Sequence, residues 1–172
     1  MVKTAKYISV IALFLAFSTT FTAKSYAQDE MDYDEFMGML SNSFTEKQLD
    51  EMSFQLPWDV KVCGYAYGDF SGDGYDDIII SAREKDVTPA NTVDVFILES
   101  TGFDSYKLVE KKNFKYYELT LEVAFLVKDG TCYITNRDNG NWYFTSYQIN
   151  EKKKFVQLDK ETYPIDFEKA GN

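Results

Sequence analysis

The alternation of apolar and polar residues divides the chain into a short helical part and a longer part made of strands. Residues 32–52 carry apolar side chains at helical spacing, which form one stripe at Tyr33, Phe36, Met37, Leu40 and Phe44. Thr45-Glu46-Lys47-Gln48 has the spacing of a capping box, which predicts that a second short helix begins there. We therefore predict an N-terminal helical segment over residues 28–57. The stripe favours packing on the rest of the protein, and a helix that binds a partner is the alternative.

From residue 60 onward the pattern predicts strands. Aromatic and β-branched residues dominate short runs that are separated by turn-forming residues. The predicted strands are 60–67, 77–82, 92–98, 106–111, 117–127, 131–135, 142–149 and 155–158. The predicted turns are 101–103, 129–130, 138–140 and 150–152. The predicted fold class is therefore mainly β.

This β domain, residues 58–172, contains an internal repeat. Residues 65–82 and 92–109 can be laid against residues 123–136 and 142–158, and in both copies an apolar strand runs into an Asp-Gly turn. The spacing is about fifty residues, close to the length of a four-stranded propeller blade. We therefore predict two blade-like antiparallel sheets, at about 58–113 and 114–163.

Residues 1–27 have the composition of a secretory signal peptide. Lys3 and Lys6 precede an apolar run over residues 7–17, and the small residues Ser25 and Ala27 occupy the positions that signal peptidase prefers. The run is short for a transmembrane helix, although an uncleaved anchor is the alternative. We expect cleavage after Ala27, which leaves 145 of the 172 residues, and export to the periplasm or the extracellular space without membrane insertion.

The balance of charge narrows the classes of partner. The formal net charge is −10, and removing residues 1–27 takes away three lysines and no acid, so the processed chain carries about −13. An acidic surface argues against nucleic acid and anionic membranes as partners and favours a cation or a basic protein.

Cysteine and histidine usage limits the possible chemistry. Cys63 and Cys132 fall in predicted strands of different halves, and an exported protein permits a disulfide between them. Two buried thiols that never meet are the alternative. The chain has no histidine, which removes histidine-based triads and the usual general base near neutral pH. We predict no catalytic residues and no enzymatic activity.

The densest group of candidate ligands lies in the segment 68–77, between two predicted strands. With Asp69 as position 1, side-chain oxygens follow at positions 3, 5 and 9, which are Ser71, Asp73 and Asp77. Gly74 occupies position 6 and Tyr75 offers its backbone carbonyl at position 7. Hard oxygen donors around a glycine turn suit Ca²⁺ better than Mg²⁺, which demands near-octahedral geometry.

The flanks of this segment distinguish it from an EF-hand. Position 12 is Ile80, where an EF-hand carries a bidentate acid, and the flanks predict strands instead of helices. The segment Gly68-Asp69-Phe70-Ser71-Gly72-Asp73-Gly74-Tyr75-Asp76-Asp77-Ile78 resembles the loop of FG-GAP/VCBS-type repeats, the calcium-binding blades of integrin-like β-propellers. It departs from that pattern at Ser71, for Asn, and at Ile78, for Leu. The likeness covers about a dozen residues.

The resemblance implies one calcium site. Its side-chain ligands would be Asp69, Ser71, Asp73 and Asp77, with the carbonyl of Tyr75 as a further ligand. The second copy lacks this ligand pattern, so we expect the site in the first unit only. An acidic Asp-Gly turn without metal is the alternative.

The resemblance also implies propeller-like packing, but two blades cannot close a propeller. We expect the two sheets to pack face to face with the helices covering an open side, in preference to association through exposed sheet edges. The expected function is that of an exported, non-enzymatic protein that binds another protein or a surface glycan. Two alternatives remain open. One is a carbohydrate-binding module, which would use the aromatic residues Tyr116, Tyr117, Trp142, Tyr143, Phe144 and Tyr147. The other is a periplasmic inhibitor or immunity-type protein.

Overall fold

A computed structural model describes residues 26–85, 92–115, 124–138 and 140–164. Most of the predicted signal peptide, part of the predicted strand 117–127 and Asn139 of one predicted turn lie outside these ranges. The elements in chain order are β1 (Tyr26–Asp32), α1 (Tyr33–Leu40), α2 (Glu46–Ser53), β2 (Val60–Gly68), β3 (Asp77–Glu84), β4 (Thr92–Ser100), β5 (Tyr106–Lys115), β6 (Ala124–Lys128), β7 (Thr131–Asp138), β8 (Asn141–Ile149) and β9 (Phe155–Pro164).

The strands form two separate antiparallel sheets. The first sheet has the order β1-β2-β3-β4-β5 and the second has the order β6-β7-β8-β9. Every neighbouring pair is antiparallel and consecutive in the chain. Strands β2–β5 and β6–β9 are therefore two successive four-stranded meanders. The prediction of a mainly β fold with two blade-like sheets is confirmed.

The first sheet is the middle of three layers. Ile78 and Ile80 on β3 pack in the core shared with the helices, whereas Ile79 packs in the core shared with the second sheet. Successive side chains of a strand point to opposite faces, and all three isoleucines are fully buried. A strand buried on both faces reads as a continuous apolar run. The sheets therefore pack face to face with the helices on the open side of the first, as expected.

The two helices belong to the core of the protein. Phe36 and Leu40 of α1 are buried, and the ring of Phe36 contacts Tyr65 edge-on at 5.3 Å between centroids. The predicted capping box is present, since Thr45 Oγ1 accepts from the Gln48 amide and Gln48 Oε1 accepts from the Thr45 amide. Helices of eight residues depend on packing for their stability. In the described ranges, no helix has the length and apolarity that crossing a membrane requires.

The structure differs from the prediction at residues 28–32. We placed them in the helical segment, but they form the larger part of β1, which pairs with β2 through Met31–Val62 and Asp32–Lys61 with an irregularity after Ala27. Their polar sequence carries no alternation, so only pairing with the edge of the sheet makes them a strand. Cleavage after Ala27 would leave both of these pairs in the processed chain.

Both cysteines are buried in the layer between the sheets, and they do not form a disulfide. Burial raises the pKa of the Cys132 thiol far above its ordinary value. Of the two alternatives left open by the sequence, the structure has two separate buried thiols.

Replacing Phe36 by Ala tests whether α1 is part of the folded core. Removing a fully buried aromatic ring should lower the free energy of unfolding by about 3–5 kcal/mol, as measured by urea denaturation. Phe103→Ala is the control, because Phe103 is 71% exposed and should change stability by no more than about 0.5 kcal/mol. Equal effects of the two substitutions would contradict the packing of α1.

Candidate functional site

The predicted ligands lie in the loop between β2 and β3, which we call the acidic loop (residues 69–76). The pair Gly68–Asp77 closes the hairpin from which it projects. Gly72 and Gly74 have φ angles of 79° and 89°, values that residues with a Cβ adopt only with strain. The two glycines thus let the backbone fold back on itself, a role that the sequence pattern predicted for Gly74.

Asp69 organises the acidic loop from its first position. Its Oδ1 accepts hydrogen bonds from the amides of Gly72 at 2.6 Å and Asp73 at 3.1 Å, and its Oδ2 accepts from the Gly74 amide at 2.9 Å. Ser71 Oγ lies 3.4 Å from the same Oδ1. Such side-chain-to-backbone bonds are the usual way in which Asp stabilises turns. The backbone of the loop is therefore curved around one carboxylate.

Asp77 lies beneath the acidic loop at the first position of β3 and is fully buried. Its Oδ2 accepts from the amides of Phe70 at 2.9 Å and Ser71 at 2.7 Å, and its Oδ1 accepts from the Ser100 amide at 3.0 Å. Burial raises the pKa of Asp77 to about 7, and the amide hydrogen bonds oppose that rise. A buried carboxylate thus ties the loop to the end of β4.

The remaining loop residues are at the surface. Asp73, Tyr75 and Asp76 are exposed, and Asp73 Oδ1 accepts from the Tyr75 amide at 3.0 Å. Partial burial and the charge of Asp69 raise the pKa of Asp76. The Tyr106 hydroxyl donates to the Asp76 carbonyl at 2.8 Å, which fixes the backbone where the loop returns to the sheet.

Phe70 connects the acidic loop to the second sheet. Its side chain is buried, its carbonyl accepts from the Ile149 amide at 3.0 Å, and its ring contacts Phe155 edge-on at 6.0 Å. Nearby, the Lys153 ammonium pairs with the buried carboxylate of Glu99 on β4. The sequence did not predict this junction, although one aromatic residue inside a polar loop was a signal for it.

The segment of the second sheet that the sequence repeat aligns with the acidic loop is a tight turn. Strands β6 and β7 are joined by Asp129 and Gly130, with φ angles of 49° and 71°. Two successive residues at positive φ are typical of a two-residue hairpin. The β6–β7 connection thus has two residues where the β2–β3 connection has the acidic loop.

The oxygen donors of the acidic loop suit calcium, but their present arrangement does not bring the acidic side chains together. The residues offer hard oxygens, which is what Ca²⁺ prefers. Asp69 and Asp77 already accept amide hydrogen bonds, and a carboxylate has about four acceptor positions. In the described ranges no three acidic side chains converge closely enough to hold a metal ion. Calcium binding would therefore require side chains of the acidic loop to rearrange.

Some of the aromatic residues considered for sugar binding make contacts with other side chains of the protein. Tyr147 is buried and stacks on Phe155 at 4.5 Å. Tyr143 lies under the Lys160 ammonium at 4.2 Å, and Phe144 contacts Tyr163 at 5.5 Å. Tyr116 and Tyr117 lie outside the described residues. Core packing accounts for Tyr147.

The raised pKa of Asp77 predicts a pH dependence of stability. Because the folded state holds this proton more tightly than the unfolded state, the contribution of Asp77 is greatest below about pH 4 and is lost as the pH rises to about 7. Relative to Asp77→Asn, the wild type should lose up to about 4 kcal/mol of unfolding free energy over this range. Urea denaturation in EDTA at several pH values measures the difference. A difference that does not vary with pH would contradict the raised pKa.

Gly68 tests the packing of the hairpin against the second sheet. A Cβ at this position would lie 2.7 Å from Val127 Cγ1, and the φ of 153° is itself unfavourable for other residues. Gly68→Ala should lower the unfolding free energy by about 1–3 kcal/mol, and Val127→Ala in the same chain should restore part of it. Gly38→Ala, where nothing lies within 4 Å, is the matched control and should not destabilise. No recovery in the double variant would contradict the contact.

Comparison with models of known protein families, with curated proteins and with solved structures found no match for this chain.

Proposed function

We propose that the protein is an exported, non-enzymatic binding protein whose acidic loop holds one structural Ca²⁺. The side chains of Asp69, Ser71, Asp73 and Asp77 and the carbonyl of Tyr75 would hold the ion. The observation that carries the proposal is the preformed backbone of the loop, which Asp69 curves through three amide hydrogen bonds. Calcium would supply the positive charge that offsets the repulsion among these carboxylates.

The position of the loop supports a structural role for the proposed ion. Asp77 connects the loop to Ser100 at the end of β4, and Phe70 connects it to Ile149 of the second sheet. A loop that stays closed keeps both connections in place. Calcium would thus stabilise the junction of the two sheets as well as the hairpin.

The described residues also support binding in preference to catalysis. The buried acids are engaged, Asp77 with three amides and Glu99 with Lys153. Cys132 is buried with a raised pKa, which disfavours the reactive thiolate. Export rests on residues 1–27, most of which lie outside the described ranges.

Thermal denaturation with and without calcium tests the proposal. With a Kd on the order of 10⁻⁴ M, as in extracellular calcium modules, about 2 mM Ca²⁺ would add roughly 1.8 kcal/mol, which is about 4–7 °C in Tm for a domain of this size. The same concentration of Mg²⁺ should give a much smaller shift. Circular dichroism melts in EDTA and in each ion measure this.

Two matched variants separate a site from a general charge effect. Asp73→Asn removes a predicted ligand charge but keeps an oxygen that can accept from the Tyr75 amide, so it should abolish most of the calcium shift. Asp76→Asn removes the same charge from the neighbouring, non-ligand residue and should keep the shift. An absent calcium shift in the wild type, or equal losses in the two variants, would contradict the calcium site.

A further inference from the structure

A second surface feature lies at the other end of the β2–β3 hairpin. The acidic loop follows Gly68, whereas a cavity of about 590 Å³ opens beside Val60, at the start of β2. Eight residue steps along an extended strand separate these two ends by about 26 Å. The cavity, which we call the Trp58 cavity, is lined by Asp32, Tyr33, Asp34, Glu35, Trp58, Asp59, Val60 and Lys85.

The side chain of Trp58 lines this cavity and is exposed to solvent. It is 80% exposed, while Leu56, two residues before it, is buried and anchors the segment in the core. Phe54, on the other side of Leu56, is 81% exposed. Trp is highly buried on average in folded proteins and is among the residues that contribute most at interfaces. A short anchored segment thus presents large aromatic surface to the solvent.

The charges around Trp58 are predominantly negative. Four carboxylates and one ammonium line the cavity. Asp32 is paired with Lys61 at 2.8 Å and with Lys85 at 3.4 Å, and hydrogen bonds from these two lysines lower its pKa. Within the described ranges, no ion pair engages Asp34, Glu35 or Asp59. Three carboxylates that have no ion-pair partner among the described residues therefore line the same cavity as an exposed indole.

Local helix stabilisation accounts for only part of this arrangement. Asp34 and Glu35 are in the first turn of α1, where negative charge is favourable. Trp58 and Asp59 belong to a different segment, however, which lies between α2 and β2. The neighbouring cavity of about 470 Å³ has balanced charge, with Arg83, Lys85 and Lys111 against Asp59, Glu84 and Asp94. The Trp58 cavity therefore has an excess of negative charge that this neighbouring cavity lacks.

We propose that the Trp58 cavity is the docking site for a basic segment of a partner protein. A Lys or Arg side chain of the partner would lie over the indole of Trp58 as a cation–π contact, and Asp34, Glu35 and Asp59 would pair with its charge and with that of neighbouring basic residues. The net negative charge of the chain steers such a segment towards the protein. This inference rests on the proposed binding role and names the chemistry of the partner. It does not depend on the calcium site.

Fluorescence anisotropy with labelled octalysine and octa-arginine peptides tests the proposal on the full chain. Both peptides should bind at 20 mM salt and more weakly at 150 mM, and octaglutamate should not bind. Trp58→Ala should weaken binding of the basic peptides about fivefold or more. The double variant Asp34→Asn/Glu35→Gln should also weaken it and should reduce its salt dependence.

Matched variants separate a site from general attraction to an acidic surface. Phe103→Ala removes another exposed aromatic residue, and Asp129→Asn/Glu151→Gln removes two exposed charges elsewhere. Both should leave peptide affinity within about twofold. A failure of both basic peptides to bind, an unchanged affinity in Trp58→Ala, or equal losses in the control variants would overturn the proposal. Asp73→Asn should keep full peptide binding, so the docking site and the calcium site can fail independently.

Discussion

The contact between the acidic loop and the two sheets depends most on the buried carboxyl group of Asp77. A carboxylate without contact with water must be compensated by hydrogen bonds, and Asp77 finds three backbone amides, from Phe70, Ser71 and Ser100. These bonds fix the start of the acidic loop and the end of β4 on the first residue of β3. Phe70 also contacts Ile149 and Phe155, so the loop that Asp77 holds in place is connected to the second sheet.

Much of the fold could be predicted because it follows from local patterns. β-branched and aromatic runs between turn residues gave the strands, and the repeated strand–Asp-Gly–strand order gave two sheets of successive strands. Thr45 and Gln48 marked the start of α2 through the capping box. β1 could not be predicted, since residues 28–32 have no alternation and become a strand only by pairing with β2. Such pairing is a tertiary effect that a local pattern does not carry.

The candidate site could be predicted in position but not in its contacts. Spacing identified the acidic loop and its glycines, yet it could not tell that Asp77 faces buried amides while Asp73 faces solvent. That distinction comes from the way Phe70 enters the core between the sheets. The exposure of Trp58 could not be predicted either. Leu56 and Trp58 are both apolar, and only the structure shows that Leu56 is buried and Trp58 is exposed. The β2–β3 hairpin thus carries a candidate cation loop at one end and a candidate docking surface at the other.

Calcium titration followed by amide NMR tests the central claim, that the acidic loop binds Ca²⁺ and joins the two sheets, most directly. We predict saturable shifts of the amides of residues 69–77, with further shifts at the Ser100 amide, which donates to Asp77, and at the Ile149 amide, which donates to Phe70. Mg²⁺ at the same concentration should leave these amides nearly unchanged. The absence of saturable shifts in the loop, or weak shifts spread over the whole acidic surface, would contradict it.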